Sequence, residues 1–247
     1  MHFLSADYWQ QSRNGNESAL LLQQYVCEGV CVHFSCVCRG QDGDDRAGGY
    51  MTEQLLQWFR GLSLKKLARK PEKALGEAQA GLRRVILRAD GGLAAAGAVG
   101  TGLKGDRYAG TMPAAAGSAG TSLIAAGKTA LAGIFCVGEY FFYFCRGEQR
   151  IYFINTGFGR VHIRRLGAED GEFFAQRGTL QPDIGLLFAV GSFWEHVTEQ
   201  MIKEGLFVQE VVTEEQMKKH LIELGKEAQR RGGKDMAAVF VRTIWKG

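Results

Sequence analysis

Residues 30–49 read VCVHFSCVCRGQDGDDRAGG. Alternation puts Val30, Val32, Phe34, Cys36 and Cys38 on one side of an extended chain and Cys31, His33, Ser35 and Val37 on the other. That pattern predicts a buried strand, which then runs into a Gly- and Asp-rich loop and a helix. The polar residues fall where the strand ends, a common place to hold a metal or a phosphate. Arg39 sits at that edge.

The neighbouring stretches arrange themselves around this strand. ALLLQQYVC, residues 19–27, pairs with it through the short turn Glu28-Gly29 as a hairpin. Residues 2–9 form another strand, set apart by the polar turn QQSRNGNES, which holds Arg13, Asn16 and Glu17. Beyond the loop, Met51, Leu55, Trp58, Phe59 and Leu62 recur at the spacing of one apolar helix face. Ser63 caps a second helix that carries Leu64, Leu67, Leu75, Ala78, Leu82 and Val85 inward, and Pro71 kinks it or marks its true start. Residues 90–120 are dominated by Gly, Ala and Ser and read as a long, partly mobile connection.

Strands return at 141–145, 149–155 and 160–166, short and aromatic or β-branched. IGLLFAV, residues 184–190, is apolar throughout and predicts a central strand covered on both faces. A helix follows around 192–203. Thr213 and Gln216 then make a capping box for a last helix with Met217, Leu221, Leu224 and Ala228 inward. Residues 237–244 close the chain as a strand. This order implies an α+β fold: one domain over 1–247, a four-layer α-β-β-α sandwich of two mainly antiparallel sheets flanked by helix pairs.

Composition narrows the function classes. The chain has 247 residues, 46% hydrophobic and 23% charged, with a formal net charge of +4, which is ordinary for a globular protein. Lys and Arg read as scattered, so nucleic acid is not the expected partner. The start, MHFLSADYWQQ, lacks the features of a secretion signal. Residues 114–135 are interrupted by Lys128 and poor in strongly apolar side chains, so no membrane span is expected. Cys27, Cys31, Cys36 and Cys38 do not form two C-x-x-C knuckles, and strand alternation scatters them. Buried free thiols in a reducing cytoplasm account for them better.

Smaller signals carry less. Gly127-Lys128-Thr129 resembles the end of a phosphate-cradling loop, but Ser122 replaces the glycine such a loop needs, and a turn is the plainer reading. Asp42, Asp44 and Asp45 suit a hard cation through oxygen, although Asp beside Gly is also turn chemistry. His33, His162 and His196 show no ligand spacing and read as structural.

Taken together, six stretches resemble the metal-dependent type 2C serine/threonine protein phosphatases in their compact bacterial form. The opening motif R-x-x-N-E-D is similar to Arg13-Asn14-Gly15-Asn16-Glu17-Ser18, with Ser18 for the aspartate. The strand ending in D-G resembles Val37-Cys38-Arg39-Gly40, with Arg39 for the aspartate. The G-T-T motif has two candidates, starting at Gly120 or at Gly127. N-x-G-D-S-R is similar to Asn155-Thr156-Gly157-Phe158-Gly159-Arg160. S-D-G-F-W-E aligns on Val190-Gly191-Ser192-Phe193-Trp194-Glu195, with Gly191 for the aspartate. G-x-D-N-x-T resembles Gly233-Lys234-Asp235-Met236-Ala237-Ala238, where Asp235 survives.

In such enzymes strand-end aspartates hold two divalent ions, manganese or magnesium, that position the attacking water. The resemblance makes Glu17, Ser18, Arg39, Gly40, Gly191 and Asp235 the positions of a degenerate metal centre whose acids are reduced to Glu17 and Asp235. At an effective dielectric of about 20, a unit positive charge about 4 Å from a dication is repelled by roughly 8 kcal/mol. That is comparable with micromolar binding, about 8 kcal/mol. The centre is therefore expected to bind no metal, with Arg39 reaching toward Asp235 or Glu17. The implied role is a cytoplasmic pseudophosphatase that binds a phosphoprotein or a serine/threonine kinase, with Arg13, Arg39 and Arg160 as anion contacts. The alternative is a divergent phosphatase whose two ions sit on Asp42, Asp44 or Asp45.

Overall fold

A computed structural model describes residues 2–9, 18–40, 46–98, 129–147, 150–155, 162–166, 173–181, 184–206 and 213–244. Strands β1 (His2–Trp9), β2 (Ser18–Cys27) and β3 (Val30–Gly40) precede helices α1 (Ala47–Arg60), α2 (Leu64–Arg69) and α3 (Pro71–Ala98). Then come β4 (Thr129–Val137), β5 (Tyr140–Arg146), β6 (Arg150–Asn155), β7 (His162–Leu166), β8 (Phe174–Thr179) and β9 (Ile184–Val190). Helices α4 (Phe193–His196), α5 (Glu199–Gly205) and α6 (Glu214–Arg230) lead to β10 (Ala237–Ile244).

The strands form two five-stranded sheets, ordered β1-β10-β9-β6-β7 and β2-β3-β4-β5-β8, with every pairing among the described strands antiparallel. Three apolar clusters make four layers of them. One, with Cys31, Val37, Ile134, Leu186 and Val239, lies between the sheets. A second joins Val32, Phe34, Cys36 and Cys38 of β3 to Met51, Leu55 and Phe59 of α1 and Leu75, Leu82 and Ile86 of α3. A third sets Leu187, Ala189 and Phe240 under Phe193, Ile202, Met217 and Leu221. The fold is the α+β sandwich that the sequence implies, and β3 divides its side chains between two cores as its alternation requires.

Local chemistry explains the element boundaries. Glu28 and Gly29 both take positive φ, 50° and 75°, in the two-residue turn between β2 and β3, the conformation that suits a tight hairpin. Pro71 opens α3 at its first position, where a missing N–H costs nothing, so the second expected helix is two helices broken at Lys70. α3 then continues to Ala98, which corrects the expectation of irregular chain from residue 90: alanine is the strongest helix former and carries that end. Residues 99–128, the remainder of that Gly- and Ala-rich segment, lie outside the described residues. The helix expected at 192–203 is also two, α4 and α5, separated at Val197-Thr198, where the Thr198 hydroxyl accepts the Met201 N–H and caps the second.

Two strands go beyond the sequence reading, β4 and β8. β4 is buried along its whole length at the centre of its sheet. Its Gly133 is required by close approach, because a Cβ there would stand 2.4 Å from the Ser35 carbonyl oxygen.

The expected capping box at α6 is present: Thr213 Oγ1 accepts the Gln216 N–H at 3.2 Å, and Gln216 Oε1 accepts the Thr213 N–H at 3.1 Å. Thr213→Ala is therefore expected to cost about 1 kcal/mol, read as a lower denaturant midpoint with an unchanged slope.

Candidate functional site at the strand ends

Parity and register decide which residues meet at one end of the sandwich. In β3, Cys31 and Val37 face the space between the sheets, so Arg39, two residues beyond Val37, continues on that face. Ser18 of β2 and Ala130 of β4 are its cross-strand partners. Gly40 ends β3, buried, opposite Thr129 at the start of β4. In the other sheet, Val190 pairs with Ala237, so Gly191 and Asp235 both lie just past that pair. The two sheet ends face each other across Ser18, Arg39, Gly191 and Asp235.

These residues are tied together. Arg39 Nε lies 3.5 Å from Asp235 Oδ2. The Ser18 N–H donates to Asp235 Oδ1 at 3.3 Å, and the Ser18 hydroxyl donates to the Asp235 carbonyl at 2.7 Å. Asp235 itself takes a positive φ of 50°, which aspartate tolerates better than most residues. Gly191 has φ 75°, and a Cβ there would stand 2.0 Å from the same Asp235 carbonyl oxygen. Next to it, Ser192 Oγ accepts the Lys234 N–H at 2.7 Å and donates to the Lys234 carbonyl at 2.9 Å. The Trp194 indole N–H, bonded to the Ala189 carbonyl at 2.9 Å, fixes the turn from β9 into α4.

The Arg39 side chain is 37% exposed and that of Asp235 15%. A pair with that much solvent contributes on the order of 1 kcal/mol or less to stability. Its consequence is electrostatic exclusion: a fixed guanidinium faces the surviving carboxylate, which a dication would need as a ligand. Two divalent ions require a cluster of carboxylate oxygens. Among the described residues no three His, Cys, Asp or Glu side chains gather for a metal, and at the strand ends only Asp235 supplies a carboxylate. The described donor set does not fit a dication pair, and no metal-assisted step is derived from it.

Arg13, Asn16, Glu17, Asp42, Asp44, Asp45, Arg160 and the segment at Gly120 lie outside the described residues, while Ser18, Arg39, Gly40, Gly191 and Asp235 are brought to one end. Asn155, where the N-x-G-D-S-R assignment begins, pairs with Ile184 at the far end of β9 from Gly191, a strand length of roughly 20 Å away. The crossing from β5 to β6 is at the near end, since Arg150 pairs with Ala189. There Cys145-Arg146-Gly147-Glu148-Gln149-Arg150 keeps the motif's glycine and arginine at the same spacing, with glutamate for aspartate. That spacing was the available signal; Glu148 and Gln149 lie outside the described residues. Likewise Thr129, in register with Gly40, favours the G-T-T candidate starting at Gly127.

The six cysteines are free, five of them buried. A hydrogen bond donated by Cys36 to Cys38, together with burial, raises the Cys36 thiol well above its ordinary value, and burial does the same to Cys136. Thiols held protonated are poor nucleophiles and poor metal ligands.

Neither a protein-family model nor a curated protein matches the sequence. Solved structures match in fold. A bacterial serine phosphatase superposes with a TM-score of 0.69 at 15% identity, covering 100% of this chain and 99% of that one. The serine/threonine phosphatase Stp1 from Staphylococcus aureus gives 0.65 at 14%, covering 100% and 96%. The catalytic domain of the serine/threonine phosphatase PstP, solved in complex with two manganese ions, gives 0.56 at 14%, covering 97% and 96%. The chain thus has the fold of the bacterial metal-dependent serine/threonine phosphatases. Arg39 and Gly191 stand at strand ends where the resemblance places aspartates.

Proposed function

We propose that this chain is a pseudophosphatase, a cytoplasmic binding or regulatory module in serine/threonine phosphorylation signalling that holds a phosphoprotein or a kinase without turning it over. The observation that supports this reading is the Arg39 guanidinium 3.5 Å from Asp235 Oδ2. It puts a permanent cation where catalysis in this fold needs anions. The same planar fork of donors suits the oxygens of a phosphate.

The reading has a two-armed test. Calorimetric titration with manganese is expected to give a flat trace, and hydrolysis of an aryl phosphate in excess manganese no turnover above buffer. Binding of a phosphoserine peptide is expected to weaken about tenfold in Arg39→Ala, the loss of one charge-assisted contact of roughly 1.5 kcal/mol. Manganese-dependent turnover abolished by Asp44→Ala would instead establish the divergent enzyme, and phosphopeptide binding indifferent to Arg39→Ala would remove the anion site.

A further inference from the structure

The layer of α1, α2 and α3 carries on its outer side a cleft of about 420 Å³, within the size range of ligand pockets. Its apolar lining includes Trp58, Leu62 and Val85, and Lys66, Arg84 and Arg88 line it as well. Gly81 opens it, since a Cβ there would stand 2.9 Å from Trp58 Nε1. Lys66 is paired with Glu77, whose carboxyl that contact holds below its ordinary value. Arg84 and Arg88 make no ion pair, and the Trp58 indole N–H no hydrogen bond, among the described residues. Three unpaired donors therefore line the cleft, Arg84, Arg88 and the Trp58 indole N–H, two of them cationic.

The surrounding charge agrees. Residues 58–88 hold nine Lys and Arg against two Glu, a surplus of seven in a chain whose formal net charge is +4. Nine of the 30 basic residues thus lie in one helical stretch, which corrects the reading of Lys and Arg as scattered, and the rest of the molecule is net acidic. A nonpolar floor under unpaired arginines rewards a ligand that brings an apolar anchor and negative charge together, which is the logic of peptide-in-groove recognition.

We propose that this cleft docks an acidic peptide segment of a partner protein, one with a bulky apolar side chain seated on Trp58 and carboxylates reaching Arg84 and Arg88. The site lies on the helical face of the sheet rather than at the strand ends, so it does not depend on the pseudophosphatase reading. Fluorescence polarisation with a fluorescein-labelled peptide of alternating glutamate and leucine tests it. Binding is expected, weakened at least tenfold in Arg84→Glu/Arg88→Glu, weakened on raising salt from 50 to 200 mM, and unchanged in Lys226→Glu on α6. Should the double charge reversal fail to fold, Arg84→Gln/Arg88→Gln is expected to lose at least fivefold. Absent binding, affinity unchanged in these variants, or equal binding of a lysine–leucine peptide overturns the proposal. So does binding only to phosphatidylglycerol vesicles, or a concentration-dependent dimer lost in the double variant, which would make the occupant a membrane or a second copy.

Discussion

Gly191→Asp, the substitution that restores an aspartate to the S-D-G-like turn, is expected to destabilise the protein by about 4 kcal/mol or more and to bind no manganese. The reason is backbone geometry. Gly191 occupies the left-handed region at φ 75°, where a residue with a Cβ is strained by on the order of 1–3 kcal/mol. Its Cβ would also stand 2.0 Å from the Asp235 carbonyl oxygen, far inside any van der Waals contact. That carbonyl cannot easily retreat, because the Ser18 hydroxyl holds it at 2.7 Å and Ser192 binds both backbone groups of Lys234 beside it. Against a typical total stability of 5–15 kcal/mol the loss is large. Gly191→Ala separates the causes: if shape is responsible, alanine costs nearly as much as aspartate, whereas a charge effect would spare alanine. Chemical denaturation of both variants, with manganese calorimetry on whatever remains folded, decides it. A Gly191→Asp protein of wild-type stability that binds two ions would show that the centre lacks only its acids.

That expectation also separates what the chain's own pattern reveals from what it hides. The two-faced alternation of Val30 to Cys38 placed β3 between two cores without any contact being known, because a strand's period is fixed by its backbone. The same parity carries Arg39 to the gap between the sheets, so its approach to Asp235 was foreseeable once both were taken as strand-end residues. The lock between Gly191 and Asp235 was not. It joins residues 44 positions apart through a carbonyl oxygen and a missing side chain, and neither leaves a mark in composition. β4 was hidden for a related reason: its Gly133 is wedged between Cys36 and Phe144, and small residues such as Ala130, Ala132 and Gly133 read locally as a loop. β8 fails differently. It lies at a sheet edge with Arg177 and Gln176 exposed, so neither face offers the apolar run that marks a strand.

Acid is expected to destabilise the fold through His33, beginning well above the range where carboxylates titrate. His33 is fully buried, its ring stacked on Phe3 at 5.3 Å. Nδ1 lies 3.2 Å from Gln24 Oε1, and Nε2 2.9 Å from Ser35 Oγ. A neutral ring satisfies both, with Nδ1–H donating to the amide oxygen and Nε2 accepting the hydroxyl. Burial lowers its pKa from 6.5 to about 3, since no buried anion offsets the cost of charging the ring. A folded pKa below the unfolded one means that the unfolded chain binds the extra proton between those two values. Stability from this group is therefore complete above pH 6.5 and is lost as pH falls toward 3. The slope is at most 1.36 kcal/mol per pH unit, so the loss from pH 7.5 to pH 5 is about 2 kcal/mol and reaches about 4 kcal/mol by pH 3. Carboxylates contribute little above pH 5, and that upper window isolates the histidine. His33→Gln keeps a polar side chain and removes the titration: whatever it costs at pH 7.5, the difference between it and the wild type should shrink by about 2 kcal/mol by pH 5. Parallel stability curves for the two proteins across that window would mean that the ring takes up its proton in the folded state as readily as in the unfolded chain.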